Sequence, residues 1–369
     1  MKITLLQGAF LPVPPLRGGA IEKAWQALGE AFVRAGHEVT HISRLCDGLP
    51  QGEKIAGVEH RRIAGAEACP GSIRLKLREF FYVWRALQSL PPADILVTHA
   101  FWAPLLFPIE KYGKIYVHVG RQPKGQMKLY RKAARLQAPS QAVARAISAR
   151  LSDGDTRVRA IPYPLPFQVD KPKPFADRPK RVLYAGRIHP EKGVLELVQA
   201  WAKLPEPMQK EWSLRLIGPW REEQGGAGLA YKKEVRKSGG QNVEILEPVF
   251  EEEALIKEYQ QARVFAYPSQ ASTGETFGLA VLEAMSCGCV PLVSSLECFR
   301  DFIENGKNGY QLQVRRDAPL QSLAESMQRI LGETELEQLS DAAIKTAAHY
   351  QIDQVALQFL HDFEELLRG

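Results

Sequence analysis

The sequence predicts an α/β protein of two Rossmann-like, doubly wound domains that face each other across a cleft. Three observations lead to this prediction. The chain has 369 residues, a length typical of two domains. Short apolar runs alternate with amphipathic stretches, a pattern typical of parallel sheets covered by helices. This alternation is interrupted between residues 161 and 179 by six prolines, which suit an interdomain linker.

The first domain is expected over residues 1–165. A strand over residues 2–7 leads into a loop rich in glycine and proline, and a helix follows over residues 21–35. Gly36 ends that helix, and the apolar run after it predicts a second parallel strand. The remaining predicted strands of this domain are 39–43, 95–98, 115–119 and 136–138.

The second domain is expected over residues 166–350 and repeats the same alternation. Its predicted strands are 181–184, 213–217, 243–246, 264–267 and 290–293, and its predicted helices are 194–204, 232–238, 252–261 and 277–285. Residues 351–369 show apolar side chains at helical spacing, which predicts a C-terminal helix that packs back on the N-terminal domain.

Composition excludes several classes of protein. Hydrophobic residues make up 45% and charged residues 24%, which argues against disorder and against a fibre. The longest weakly charged apolar stretch, residues 95–109, is shorter than the roughly 20 residues of a membrane span, and Pro12 comes too early for a signal peptide. The five cysteines form no CxxC pair and show no zinc spacing, so a reducing, cytoplasmic location is expected.

Three groups of residues lie where predicted strands end, which is where open α/β sheets bind ligands. Glu275 and Glu283 are separated by seven residues, and Phe277, Gly278 and Leu279 between them would open a helix. The first N–H groups of a helix have no internal acceptor, so they suit an anion or sugar hydroxyls. Taken alone, the two glutamates are more simply interpreted as a solvated pair on an ordinary helix.

The second group follows the strand at 181–184, where Gly186 and Arg187 are followed five residues later by Lys192. Two cations at a strand end could neutralise a diphosphate, although a surface pair is the simpler interpretation of such residues alone. The third group is Gly18 and Gly19 in the first loop, where the absence of Cβ atoms lets a phosphate approach the backbone. The sequence has no GxGxxG and no GxxxxGK[ST] motif, which argues against dehydrogenases and P-loop enzymes.

In this order and on these elements, the three groups resemble the family 4 retaining glycosyltransferases of the GT-B fold, the glycosyl transferases group 1. The resemblance covers nearly the whole chain. It includes RGGAIEKAWQALGEAFVRAGHEV near the start, SQAVARAI with Ser140, AGRIHPEKG, the Glu-x7-Glu segment, and DFIENGKNG.

The resemblance implies a role for each matching residue. Arg187 and Lys192 match the basic pair that grips the donor diphosphate, Glu283 the glutamate on the ribose, and Glu275 the one on the donor sugar. His118 matches a histidine that reaches the reaction centre. The other matching donor-site positions are Gly18, Gly19, Gly186, Thr276, Phe277, Gly278 and Leu279.

The resemblance also implies retention of anomeric configuration, no cofactor and no metal ion. Three positions depart from the family pattern. The usual IPNG reads IPYP with Tyr163, Thr276 replaces a frequent glycine, and Asp301 lies near the position of a usual glutamate. These departures concern contacts near the linker and the donor sugar.

The acceptor is expected on the first domain, whose residues are strongly basic. Residues 1–170 contain 24 Lys and Arg against 13 Asp and Glu, whereas the overall net charge is +6. A basic half suits a membrane surface, a phosphorylated acceptor or nucleic acid, and a merely solvated face is the alternative. Residues 73–90 mix basic and aromatic side chains, so they predict either an interfacial helix or one packed on the sheet. A second basic run follows at 121–135, and His99, Phe101 and Trp102 suit an acceptor pocket or an aromatic core.

The leading hypothesis is a cytoplasmic retaining glycosyltransferase, associated with the inner face of the membrane, that assembles surface glycans or glycolipids. Its expected partners are a UDP- or GDP-sugar donor and a glycan or lipid-linked acceptor. One alternative is an inverting GT-B transferase or a sugar-nucleotide epimerase, which would need a general base. The other is a non-catalytic protein that binds an anionic ligand, although no nucleic-acid module is present and nucleic acid is not expected.

Overall fold

Strands of two to eight residues form two separate sheets. The computed structural model describes residues 1–16, 19–67, 72–169, 171–271, 274–312 and 319–369. The chain divides into a first unit, Met1–Pro166 with Tyr350–Gly369, and a second unit, Phe167–His349. Each unit has its own sheet.

The described residues of the first unit form an eight-stranded sheet in the order β3-β4-β2-β1-β5-β6-β7-β8. Neighbouring strands pair in parallel except for β3 and β4, which form an antiparallel hairpin. The strands are β1 (Lys2–Leu6), β2 (Glu38–Leu45), β3 (Gly52–Ile55), β4 (Val58–Ala64), β5 (Ile95–Thr98), β6 (Lys114–His118), β7 (Ala133–Ala138) and β8 (Val158–Ala160). The helices described in this unit are α1 (Ala20–Arg34), α2 (Ser72–Ser89), α3 (Ala103–Leu106), α4 (Ile109–Tyr112), α5 (Gln141–Ser148) and the C-terminal α13 (Ile352–Arg368).

The second unit has a six-stranded sheet of parallel pairs, in the order β11-β10-β9-β12-β13-β14 over its described residues. The strands are β9 (Arg181–Ala185), β10 (Ser213–Ile217), β11 (Val243–Leu246), β12 (Val264–Tyr267), β13 (Val290–Val293) and β14 (Tyr310–Gln311). The helices described here are α6 (Val194–Trp201), α7 (Glu206–Glu211), α8 (Gly228–Ser238), α9 (Glu252–Gln260), α10 (Leu279–Ser286), α11 (Pro319–Leu331) and α12 (Leu336–Ala348).

The C-terminal helix α13 packs beside α1 in the first unit. Its Phe359 contacts Trp25 with ring centroids 5.1 Å apart, and both rings are buried. Its Asp362, 2% exposed, accepts a hydrogen bond of 2.8 Å from the hydroxyl of Tyr116 on β6 and forms an ion pair of 2.6 Å with Arg135 on β7. A buried carboxylate needs such partners, so these contacts fix the position of α13 on the sheet.

Several elements differ from the expectations, among them two helix starts and one hairpin. The helix expected at 277–285 begins at Leu279, because Gly278 has a φ of 91° and lies in the left-handed region. The helix expected at 232–238 begins at Gly228. The hairpin of β3 and β4 was not predicted, because Glu53, Lys54 and the polar half of VEHRRIA obscure an apolar pattern. Across the described ranges, no helix is both long and apolar enough to cross a membrane.

Candidate functional site

The predicted donor residues of the second unit gather where β9 and β12 end. These strands are neighbours in the sheet, and their last aromatic residues, Tyr184 and Tyr267, stack with ring centroids 5.8 Å apart at an interplanar angle of 11°. Burial raises the pKa of both hydroxyls well above the usual value, and the Glu275 carboxylate nearby raises them further. Both tyrosines therefore stay neutral, and their stacked rings lie where the loops after β9 and β12 begin.

Lys192 and Glu275 form an ion pair next to the ring of Tyr267. The ammonium Nζ of Lys192 lies 2.7 Å from Oε2 of Glu275, and the two side chains are 9% and 10% exposed. The same ammonium lies 5.6 Å from the centre of the Tyr267 ring. Lys192 is the last residue of a short 3₁₀ helix, Pro190–Lys192, and Gly193 after it adopts a φ of 68°. A Cβ at position 193 would lie 2.2 Å from the carbonyl oxygen of Pro268, so only glycine allows this approach of the two loops.

Arg187 lies at the rim of the same group. Its guanidinium donates a hydrogen bond of 3.0 Å to the carbonyl of Gly225 and forms an ion pair with Glu191. The Tyr184 hydroxyl donates a 2.7 Å hydrogen bond to the carbonyl oxygen of Arg187 and so fixes its backbone. The Arg187 side chain is 41% exposed, so an incoming anion can reach it by displacing an exposed carboxylate.

The second predicted glutamate lies deeper. Glu283 on α10 is 7% exposed and accepts a 3.0 Å hydrogen bond from the hydroxyl of Tyr259. Burial, and then the Glu283 carboxylate, raises the pKa of Tyr259 well above its usual value, so the tyrosine remains a donor. This bond holds the glutamate on the inner side of α10.

The start of α10 is shaped by a glycine. Gly278 precedes the helix with a φ of 91°, and a Cβ there would lie 2.3 Å from the ring of Phe299. Phe277 is 1% exposed and contacts Phe302 at 5.4 Å, whereas Leu279 is partly exposed. Because the N–H groups of a first helical turn lack internal acceptors, this helix start can receive an anion or hydroxyl oxygens.

Two further predicted positions belong to this unit. Thr276 is 9% exposed and precedes Phe277 in the loop after β12. Gly186 follows β9, and a Cβ on the neighbouring Gly218 would lie 1.8 Å from the carbonyl oxygen of Gly186. These contacts bring the loops after β9 and β10 together without side chains between them.

In the first unit, His118 ends β6 and is held at both ring nitrogens. Nδ1 lies against Oε1 of Gln137, and Nε2 lies 2.8 Å from the hydroxyl of Tyr163. The amide nitrogen of Gln137 donates to the carbonyls of Ala138 and Ile161, so its oxygen must face the histidine. The proton therefore sits on Nδ1, and Nε2 accepts from Tyr163. Burial lowers the pKa of His118 to about 4, so the ring is neutral.

Gly19 and Glu22 lie close together near the start of α1. Gly19 has a φ of 114°, and a Cβ there would lie 2.3 Å from the Glu22 carboxylate. Glu22 is 6% exposed, and burial raises its pKa although Arg121 opposes the shift. The prediction for Gly18 falls outside the described residues.

Three of these side chains are absent from the predicted site, namely Tyr184, Tyr267 and Glu22. Tyr184 and Tyr267 lie within predicted strands. A signal existed for Glu22, because a carboxyl three residues after the second glycine lies in the first helical turn. Tyr163 departs from the family pattern, but its bond to His118 depends on tertiary packing. Within the described ranges, no group of three or more His, Cys, Asp or Glu side chains could hold a metal ion.

Comparison with known proteins identifies the second unit. Residues 167–347 match the glycosyl transferases group 1 family, and they make up nearly all of that unit. The second unit belongs to this family. The cluster of Arg187, Lys192 and Glu275 therefore lies in a group 1 glycosyltransferase domain.

Curated relatives of the chain include transferases named for lipopolysaccharide and O-antigen. A lipopolysaccharide 1,2-N-acetylglucosaminetransferase of Salmonella typhimurium is 28% identical over 190 residues, covering 48% of this chain and 46% of the relative. An O-antigen chain mannosyltransferase B of Escherichia coli is 36% identical over 115 residues, or 31% of this chain and 28% of the relative. In both cases the match spans less than half of the relative.

Solved structures confirm the predicted fold class, a two-domain α/β fold of the GT-B type. A sucrose-phosphate synthase of Thermosynechococcus elongatus superposes with a TM-score of 0.80 and 21% identity, covering 100% of this chain and 99% of the other. HepE of Anabaena, solved with UDP and glucose, superposes with a TM-score of 0.70 and 17% identity, covering 99% of each chain. The match to these structures covers both units, whereas the family match covers the second unit.

Proposed function

We propose that this chain is a retaining glycosyltransferase that transfers a sugar from a nucleotide-diphosphate sugar to a hydroxyl group of a glycan or lipid-linked acceptor. The observation that carries the proposal is the cluster of Arg187, Lys192 and Glu275 at the ends of β9 and β12 in a group 1 domain. The lipopolysaccharide and O-antigen relatives support the acceptor class.

The cations act on the leaving group. As the bond between the anomeric carbon and the phosphate oxygen breaks, negative charge grows on the diphosphate. Lys192, almost buried, and Arg187, at the rim, stabilise this charge by charge-assisted hydrogen bonds. These two cations and the N–H groups at the start of α10 carry the charge, so no metal ion is required for it.

The glutamates orient the donor. Glu275, fixed by Lys192, accepts hydrogen bonds from hydroxyls of the sugar, and Glu283 accepts them from the ribose. The acceptor oxygen attacks the face of the anomeric carbon from which the phosphate departs. Its proton passes to the leaving phosphate oxygen, so the step balances without a protein base, and configuration is retained.

His118 has a positioning role in this proposal. Because Tyr163 and Gln137 occupy both ring nitrogens and the ring is neutral, His118 does not transfer a proton. Its role is to fix Tyr163 and Gln137 at the end of β6 in the first unit.

The proposal is tested by donor binding and by product stereochemistry. We expect one class among UDP-, GDP-, ADP- and CMP-sugars to raise the melting temperature in the presence of EDTA, because a ligand that binds the native state stabilises it. Arg187→Ala should weaken that binding by about tenfold or more, since a charge-assisted hydrogen bond contributes roughly 1.5–3 kcal/mol.

Arg221→Ala is the matched control, because its side chain is also 41% exposed but pairs with Glu247 instead. Failure of every nucleotide sugar to bind, or equal loss in both variants, would contradict the donor site. An inverted anomeric configuration in the product, measured by NMR, would overturn the retaining mechanism alone.

A further inference from the structure

Helix α2 has two apolar sides, and one of them is uncovered in the first unit. Tyr82, Val83 and Ala86 are fully buried and form the inner side. The outer side carries four exposed large apolar residues, namely Ile73 (75% exposed), Leu77 (53%), Phe81 (53%) and Trp84 (51%). Their spacing of four, four and three residues places them in a single stripe along the helix.

This outer stripe is the main concentration of exposed apolar side chains in the described parts of the chain. Ten large apolar residues are exposed there, and four of them lie in the stripe. Single exposed apolar residues are normal on a protein surface, whereas a contiguous patch indicates a surface that binds a partner or a membrane.

Cations border the outer stripe on both sides. By helical geometry, Arg74, Arg78 and Arg85 lie along one side of it and Lys76 along the other. Glu79, the one acidic residue of α2, is partly buried and accepts a 3.1 Å hydrogen bond from the backbone N–H of Phe101. The uncovered side of α2 is therefore apolar with a basic border.

The surface continues beyond the helix. The indole N–H of Trp102 donates a 2.8 Å hydrogen bond to the carbonyl of Lys76, whose ammonium lies 4.7 Å from the centre of the Phe101 ring. Phe101 in turn contacts Tyr130 at 6.2 Å, and the neighbouring Leu129 is 55% exposed. An aromatic bridge thus joins α2 to the segment that contains Leu129.

That segment is basic throughout. Residues 111–152 contain ten Lys and Arg and no Asp or Glu. Among them, Lys124, Lys128, Arg131 and Lys132 are exposed. A partner that covers this surface must therefore be apolar opposite the stripe and anionic around it.

We propose that the outer stripe of α2 inserts into the headgroup region of an anionic lipid bilayer, with the surrounding cations on the lipid phosphates. A bilayer surface offers apolar depth and negative charge in the same plane, which is the arrangement this surface complements. The aromatic side chains Phe81 and Trp84 suit the boundary between headgroups and acyl chains. A peripheral attachment of this kind would bring the first unit to a lipid-linked acceptor.

Vesicle sedimentation tests this proposal with the full chain. Vesicles of phosphatidylcholine mixed with phosphatidylglycerol should bind the protein, and vesicles of phosphatidylcholine alone should bind it much less. The combined variant Leu77→Gln, Phe81→Gln and Trp84→Gln should lower the affinity by at least about tenfold, because burying even one such side chain changes binding by that factor.

The matched control replaces three comparably exposed residues elsewhere. Leu229, Phe250 and Leu357 are 53%, 60% and 63% exposed, and Leu229→Gln, Phe250→Gln and Leu357→Gln together should leave vesicle binding unchanged. Circular dichroism verifies that both combined variants are folded. In a second readout, brominated lipids should quench fluorescence in the wild type more than in Trp84→Phe.

Three results would overturn the proposal. The first is the absence of binding to anionic vesicles, and the second is equal binding by the stripe variant and the control variant. The third is a concentration-dependent dimer in analytical ultracentrifugation that the stripe variant abolishes, which would assign the stripe to a second copy of the chain. Vesicle binding is measured without a sugar nucleotide, so failure here is distinct from failure of the proposed transferase activity.

Discussion

The ion pair of Lys192 with Glu275 couples the stability of the second unit to its proposed donor site. Both side chains are about nine-tenths buried, and their charged atoms lie 2.7 Å apart. Removing one partner leaves a buried charge without compensation. We therefore expect Lys192→Met to destabilise the second unit by about 3–5 kcal/mol, measured by urea unfolding.

The double variant Lys192→Met with Glu275→Leu separates the two roles. It replaces the buried pair by apolar side chains, so most of the lost stability should return. Donor binding and transfer should not return, because the almost buried cation that we propose binds the diphosphate would be gone. A double variant that binds the donor normally would show that the pair is purely structural.

At the scale of elements, the start of α10 depends on Gly278. Two effects oppose any side chain there, namely the φ of 91° and the ring of Phe299, which would lie 2.3 Å from a Cβ at this position. Gly306 provides a control, since it has a φ of 77° and a Cβ there would meet no atom within 4 Å. Gly306→Ala should lower the free energy of unfolding by about 1–2 kcal/mol, because only the backbone conformation opposes the side chain there.

Gly278→Ala should lower the free energy of unfolding more than Gly306→Ala does, and the difference reports the contact with Phe299. A filled core site must shift to accept a methyl group, typically at a cost of about 1–3 kcal/mol. Comparing the urea midpoints of the two variants measures this difference. Donor affinity should fall in Gly278→Ala and stay unchanged in Gly306→Ala. If the two variants lose the same stability and the same donor affinity, the start of α10 has no special role in either property.

Elements whose side chains obey one simple pattern could be predicted from the sequence. Strand β10 is alternately apolar and was predicted over its observed range, and the apolar run of β5 was likewise predicted as Ile95–Thr98. The pair β3 and β4 escaped prediction, because His60 and Arg62 turn inward and are buried although their residue types are typical of a polar surface. In α2, one helix carries two apolar sides, and only tertiary packing decides which is covered.

The same limit applies to the candidate site. The order of Arg187, Lys192 and Glu275 along the chain could be recognised, since each follows a predicted strand. Their partners could not, because Tyr184 and Tyr267 belong to strands that are far apart in sequence and pair only in the folded sheet. Side-chain pairing across parallel strands depends on strand order, which the alternation of helices and strands leaves open.

At the scale of the whole molecule, buried histidines are concentrated in the first unit. His41, His60 and His118 are at most 3% exposed, and the rings of His41 and His60 stack with centroids 5.3 Å apart. Burial lowers the pKa of His60 and of His118 to about 4, and that of His41 well below the ordinary 6.5. The two histidines of the second unit, His189 and His349, are partly or fully exposed.

This asymmetry predicts a difference in acid sensitivity between the units. Below pH 6.5 the unfolded chain takes up protons on these histidines, while in the folded unit His60 and His118 stay neutral until about pH 4. Since the unfolded state binds more protons in this window, the stability of the first unit falls as the pH decreases from 6.5 to 4, by roughly 1.4 kcal/mol for each pKa unit and histidine.

Hydrogen exchange followed by mass spectrometry, corrected for the intrinsic rate at each pH, should show protection falling in β1 and β2 between pH 7 and pH 5. The peptides of β9 and β10 serve as the internal control and should change less. Equal loss of protection in both sheets would mean that the buried histidines do not govern the acid response.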